Sequence, residues 1–154
     1  MALVFVSSAT ALQIHTVISL GLATVICGVA VKVGDDSTRR IAVAFFLNWL
    51  GSLLAYRADA YNIELEILAL DVAALIYFVW VSMRWRRLWT VLASAFVAIT
   101  VGSHVATMID LRVTIDTFNV SVAIWSYAIL ACIAFGAWTS WRERRQSRTT
   151  EDRP

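Results

Sequence analysis

Five long, nearly unbroken apolar runs dominate this 154-residue chain, at about 9–31, 41–61, 63–83, 88–109 and 117–141. A helix needs about 20 mostly apolar residues to cross a hydrocarbon core about 30 Å thick, and these runs meet or approach that length. Barrel strands would alternate apolar and polar residues, whereas these runs are continuous. The sequence therefore predicts an all-α integral membrane bundle of five transmembrane helices over 1–141, with a short basic cytoplasmic tail at 142–154. Only 16% of the residues are charged and 60% are hydrophobic. A soluble domain has about 25% charged residues. At the amino end, no Lys or Arg precedes the apolar run, and Leu3–Val6 is too short for the core of a signal peptide. The first segment is expected to stay in the mature chain.

Basic residues orient the threading. Lys32, Arg39 and Arg40 lie between runs one and two, and Arg84, Arg86 and Arg87 between three and four. Arg142, Arg144, Arg145, Arg148 and Arg153 follow run five, leaving only Arg57 and Arg112 for the opposite side. Short loops rich in Lys and Arg are retained in the cytoplasm. The expectation is an amino terminus outside and a carboxy terminus inside, in the inner membrane of a bacterial cell. Trp80, Trp85, Trp89, Trp138 and Trp141 fall near the basic boundary and read as an interfacial belt. The tail is suited to contact with anionic headgroups.

Within these spans lie three ionisable residues at a similar counted depth. His15 is six or seven residues in from the outer start of run one, Asp71 is five beyond Glu66, and His104 is six before Asp110. At 1.5 Å per residue each sits about 10 Å from the outer boundary. An isolated charge there is costly, so Asp71 calls for a proton, a cation or an imidazolium partner. Two imidazoles and a carboxylate suit a transition metal, and two histidines suit haem b. The same groups could relay protons, or could simply hydrogen-bond across helices and fix packing. Asn48, in the middle of run two, reads as an interhelical hydrogen-bonding residue.

The outer connections carry Asp59, Glu64, Glu66, Asp110 and Asp116, an acidic mouth that would concentrate cations. Small residues recur every fourth position at Ser94, Ala98, Gly102 and Ala106, and again at Ala128, Cys132, Gly136 and Ser140. Such stripes let helices approach closely, within one chain or between chains of a homo-oligomer. Cys27 and Cys132 read as small buried hydrophobes.

No glycine-rich nucleotide loop, HExxH, CxxC, CxxCH or GxSxG occurs. The net charge of +2 lends nucleic-acid binding no support. Little of the chain lies outside the spans, so the leading functional expectation is a non-enzymatic subunit or accessory factor of a membrane assembly, in contact with the lipid bilayer and other subunits. Two alternatives stand beside it. One is a redox protein holding haem b or a metal through His15 and His104 with Asp71. The other is an oligomeric channel, holin-like pore or carrier.

Overall fold

The computed structural model describes the backbone of residues 2–57, 63–109 and 115–151, and the side chains of residues 17–55, 65–109 and 120–147. Five helices make up the described chain: α1 (Ala2–Val33), α2 (Asp36–Arg57), α3 (Ile63–Trp85), α4 (Leu88–Ile109) and α5 (Ile115–Glu151). Three segments are long and apolar enough to cross a membrane, Leu65–Trp85, Leu88–Ile109 and Val120–Ser147; 18-residue windows within them reach mean hydropathies of 1.9, 1.7 and 2.0. In α1 the described apolar stretch is the shorter Val17–Val33. The helices run past the apolar runs at the basic end. α2 begins at Asp36, and α5 continues through the first ten residues of the polar tail.

Each helix packs against its neighbour in sequence, and α1 closes the ring against α5. The α4–α5 seam is the most extensive, and a thin α2–α5 contact crosses the middle. Inner faces carry Ala23, Cys27 and Ala30 of α1, Ile41 and Phe45 of α2, Phe78 and Val81 of α3, Ala93 and Val97 of α4, and Ile129 and Ile133 of α5. Outward faces carry Val25, Leu47, Ile76, Leu92 and Ile124, among many exposed large hydrophobics. A ring of helices apolar on both sides suits lipid, since water would penalise the outer surface.

Both basic-end turns are two residues long, and each is built differently. In the first, Asp35 caps α2: its Oδ1 accepts from the Thr38 backbone N–H at 2.9 Å and the Thr38 hydroxyl at 2.6 Å. The Ser37 hydroxyl also donates to Asp35, at 2.9 Å. Its neighbour Gly34 is required for space, because a Cβ there would collide with the Ala30 carbonyl oxygen and lie 2.7 Å from the Thr38 side chain. In the second turn Arg86 takes the left-handed conformation, φ 52°, and its N–H bonds back to the Ser82 carbonyl at 2.9 Å. Glycine is the usual residue at such a helix end.

The first turn is also fastened to α5. The Asp35 N–H donates to Ser140 Oγ at 3.1 Å. Arg144 donates to the carbonyls of Val33 and Gly34 at 2.8 and 2.7 Å, satisfying the C-terminal end of α1. Arg87 reaches Asp35 at 3.6 Å and forms a fork on Glu143 at 2.8 and 3.2 Å. One level deeper, Gly136 opens a slot for Trp89, whose ring atoms would stand 2.7 Å from a Cβ at that position. Trp89 is accordingly buried, a correction to its place in an interfacial belt; Trp80, Trp138 and Trp141 do face outward.

Burial pushes the Asp35 carboxyl up, but the hydrogen bonds from Thr38 and Ser37 and the charge of Arg87 outweigh it, holding it below its ordinary range. A depressed carboxyl contributes stability above the unfolded pKa of about 3.9, which is lost as pH falls through the lower folded value. Thermal unfolding in detergent across pH should therefore show a decline on the acid side of about pH 5. Asp35→Ala should cost about 0.5–2 kcal/mol near neutrality, the usual loss for an N-cap, and should flatten part of that decline. An unchanged acid limb in the variant would count against this role.

Candidate functional site

Asp71 sits in the middle of α3, in the apolar stretch Ile63–Trp80, and its side chain is buried. Each carboxylate oxygen meets a donor from a different helix. Oδ1 accepts from Asn48 Nδ2 of α2 at 2.8 Å. Oδ2 lies 3.1 Å from Nε2 of His104 on α4, whose ring is as buried as the acid. Short apolar helices alone would not bring these groups together. They meet because α2, α3 and α4 are consecutive in the ring.

The electrostatics of the pair follow from its surroundings. A lone charge in an apolar interior is expensive, and a buried hydrogen-bonded partner offsets part of that cost. The Asn48 amide then favours a fixed orientation of the carboxyl group. Among the described residues, no buried side-chain nitrogen or oxygen lacks a hydrogen-bond partner.

This cluster forms part of the wall of a cavity of about 300 Å³ between α2, α3, α4 and α5. Phe45, Trp49, Leu53, Ile67, Phe78, Val97 and Ile129 supply apolar walls, and Ser52, Thr100 and Ser126 add hydroxyls. Ser52 and Thr100 donate to carbonyls of their own helices, at 3.0 and 3.1 Å. A mostly apolar space with a few converging polar groups, at the lower end of ligand-site volumes, is the ordinary form of a small-molecule site between helices.

Other residues singled out in the sequence fall elsewhere. His15 belongs to α1, which packs on α2 and α5, and its side chain lies outside the described residues. Asp59 and Asp110 lie wholly outside the described residues, as do the side chains of Glu64 and Asp116; Glu66 is exposed on α3. Among the described residues no group of three or more His, Cys, Asp or Glu could hold a metal ion. Cys27 and Cys132 are buried free thiols. Of the small stripes, Cys132, Gly136 and Ser140 face into the bundle and Ala128 is half-buried. On α4 only Ser94 is buried, while Ala98, Gly102 and Ala106 are exposed. The inner face of α4 instead follows Thr90, Ala93, Val97, Thr100 and His104. A strict four-residue step overshoots the 3.6-residue turn by about 40° and drifts off that face.

The link that sequence reasoning did not draw is Asn48 to Asp71. A signal for it exists. Counted from the basic ends of their helices, Asn48 is twelve residues after Asp36, Asp71 fourteen before Trp85, and His104 sixteen after Leu88. That places them within about 6 Å along the bundle axis. Comparison with known proteins gives no match: no family model, no curated protein and no solved structure is similar to this chain.

A double-mutant cycle should detect the pair. Asp71→Asn and His104→Gln, singly and together, should show a coupling of about 0.6–1.7 kcal/mol, the range measured for interhelical hydrogen bonds in membranes. The measurement is reversible unfolding in mixed micelles. Strictly additive effects would mean that the two side chains do not interact.

Proposed function

We propose that the chain is a polytopic membrane protein with five spans, amino terminus outside and carboxy terminus in the cytoplasm, and that it serves as a non-enzymatic binding component of a membrane assembly. The observation that carries the functional part is the Asp71 carboxylate, held by Asn48 and His104 on the wall of a cavity of about 300 Å³. Such a space fits a small, largely apolar molecule with one amine or hydroxyl group. The apolar walls would take its body, and the carboxylate–imidazole pair would take its polar end.

Five spans are supported by packing and length. α3, α4 and the apolar part of α5 meet the requirement by themselves. At 1.5 Å per residue, the 22 residues of α2 extend about 33 Å and the 32 of α1 about 48 Å, enough to span the same thickness. Both lie in the same ring as the other three. Orientation is supported by the gathering of Lys32, Arg39, Arg40, Arg84, Arg86, Arg87, Arg142, Arg144 and Arg145 at one end of the bundle. Reporter fusions at the carboxy terminus check it: a green fluorescent reporter should glow and a phosphatase reporter should be inactive. The opposite pattern would reverse the topology.

Binding is tested by titrating the purified protein with a panel of apolar amines and alcohols, read by tryptophan fluorescence. Trp49 lines the cavity, so its contribution should change and should vanish in Trp49→Phe. Ser126→Trp, which fills the cavity, should abolish binding. Asp71→Asn should weaken amine binding about tenfold or more, the value of a hydrogen bond to a charged group. A protein that binds none of the panel, and that purifies from mild detergent alone and monomeric, would overturn this function.

A further inference from the structure

Where the start of α2 packs beside α3, a cleft of about 510 Å³ opens at the basic end of the bundle. Asp36, Arg39 and Arg40 line its α2 side at the boundary. Val43 and Leu47 continue along the same face of α2, four and eight residues beyond Arg39, and are 45% and 60% exposed. Tyr77 lines the α3 side, eight residues before the end of that helix at Trp85 and so about 12 Å inward. The cleft thus brings two cations, one acid and a phenol together above an apolar strip.

Several contacts fix the charged groups. Arg40 Nε donates to Asp36 Oδ2 at 3.0 Å, and the guanidinium lies 5.2 Å from the centre of the Trp85 ring. That bond engages neither Oδ1 of Asp36 nor the two Nη groups of Arg40. Asp36, and after it the nearby Tyr77 phenol, push the Arg40 guanidinium further above its ordinary range. Arg39 is exposed and pairs with no acid among the described residues. Tyr77, Trp80 and Trp85 form a series of ring contacts along α3, each 5.8 Å between centres, and Trp80 is half exposed. Such rings settle where hydrocarbon meets headgroups.

We infer that this cleft binds a zwitterionic aminophospholipid of the cytoplasmic leaflet, phosphatidylethanolamine. Its phosphate meets Arg39 and Arg40, its primary ammonium meets Asp36, and an acyl chain lies along Val43 and Leu47. Guanidinium groups suit phosphate oxygens, and basic clefts between helices on the cytoplasmic side suit lipid headgroups. Asp36 sets the selectivity. It repels a headgroup whose only charge is negative, and it finds no N–H donor on the quaternary nitrogen of choline. The inference goes beyond the ligand of the Asp71 cavity and rests on the membrane reading above.

The test uses the full-length protein in nanodiscs of equal parts phosphatidylethanolamine, phosphatidylglycerol and phosphatidylcholine, with retained lipid read by native mass spectrometry. The wild-type protein should retain phosphatidylethanolamine selectively, and retention should fall in steps as its nitrogen is methylated once, twice and three times. That series needs no variant, so it is independent of any folding effect. Arg39→Gln with Arg40→Gln should reduce retention about tenfold or more, the value of a hydrogen bond to a charged group. Asp36→Asn keeps both arginines and should shift the preference to phosphatidylglycerol. Lys32→Gln with Arg142→Gln removes equal charge at the same end, away from the cleft, and should keep the wild-type preference. Equal losses in the two Gln pairs would overturn the site in favour of general surface charge. Equal retention across the methylated series would overturn the role of Asp36, and displacement by excess inorganic phosphate would overturn the site in favour of a free anion. A protein that enters nanodiscs but shows no lipid preference refutes only this inference, whereas one that fails to enter them refutes the membrane reading as well.

Discussion

The arrangement depends on how tightly the helices are turned at the basic end. Two residues join α1 to α2 and two join α3 to α4, so each pair has little freedom to slide. Such turns leave several backbone groups at each helix end in need of partners. Asp35 meets that need for α2, Arg144 for α1, and Arg86 by adopting a left-handed backbone. Because Asp35 also bonds Ser140, the first turn is tied to α5 as well as to its own helix. The corner thereby sets the axial level of every helix that passes through it.

From that level, the position of the buried acid follows. A carboxylate in an apolar bundle is tolerated only with donors on both oxygens, and Asp71 has one from each side of α3. Neither donor would reach it if α2 or α4 slipped by one turn of about 5.4 Å. The polar cluster therefore records the register as much as it depends on it. It also leaves one wall of the cavity polar among aromatic and aliphatic side chains, so a ligand there would meet a directed interaction in mostly apolar surroundings.

The basic end combines two kinds of electrostatics. Arg87, Asp35 and Glu143 form a mutually compensating group that fastens turns to α5. Arg144 serves α1 through carbonyls rather than an acid, so its charge is not neutralised by the contact. The continuation of α5 to Glu151 makes this possible. A helical extension presents Trp141, Arg144 and Arg145 at fixed spacing toward the end of α1, which a flexible tail of the same composition would not do.

Much of the architecture was legible in the amino-acid order. Long apolar runs depend on composition, so five helices could be anticipated, whereas their ends could not: α1 begins at Ala2, α2 begins at Asp36 where Asp35 caps it, and α5 continues past Trp141 to Glu151. Asp71 and His104 stood out because ionisable residues in apolar segments are costly. Their distance apart, and the involvement of Asn48, could not be read, because sequence gives depth along a helix but not the rotation of one helix about its axis. Trp89 shows the same limit: its place near the boundary was apparent, yet only Gly136 on the adjacent α5, 47 residues on, opens the slot into which it turns. The sequence by itself determined helical segments, their polarity and the concentration of positive charge between alternate pairs. Tertiary structure alone decided which faces meet, because packing depends on the shapes of side chains far apart in the chain.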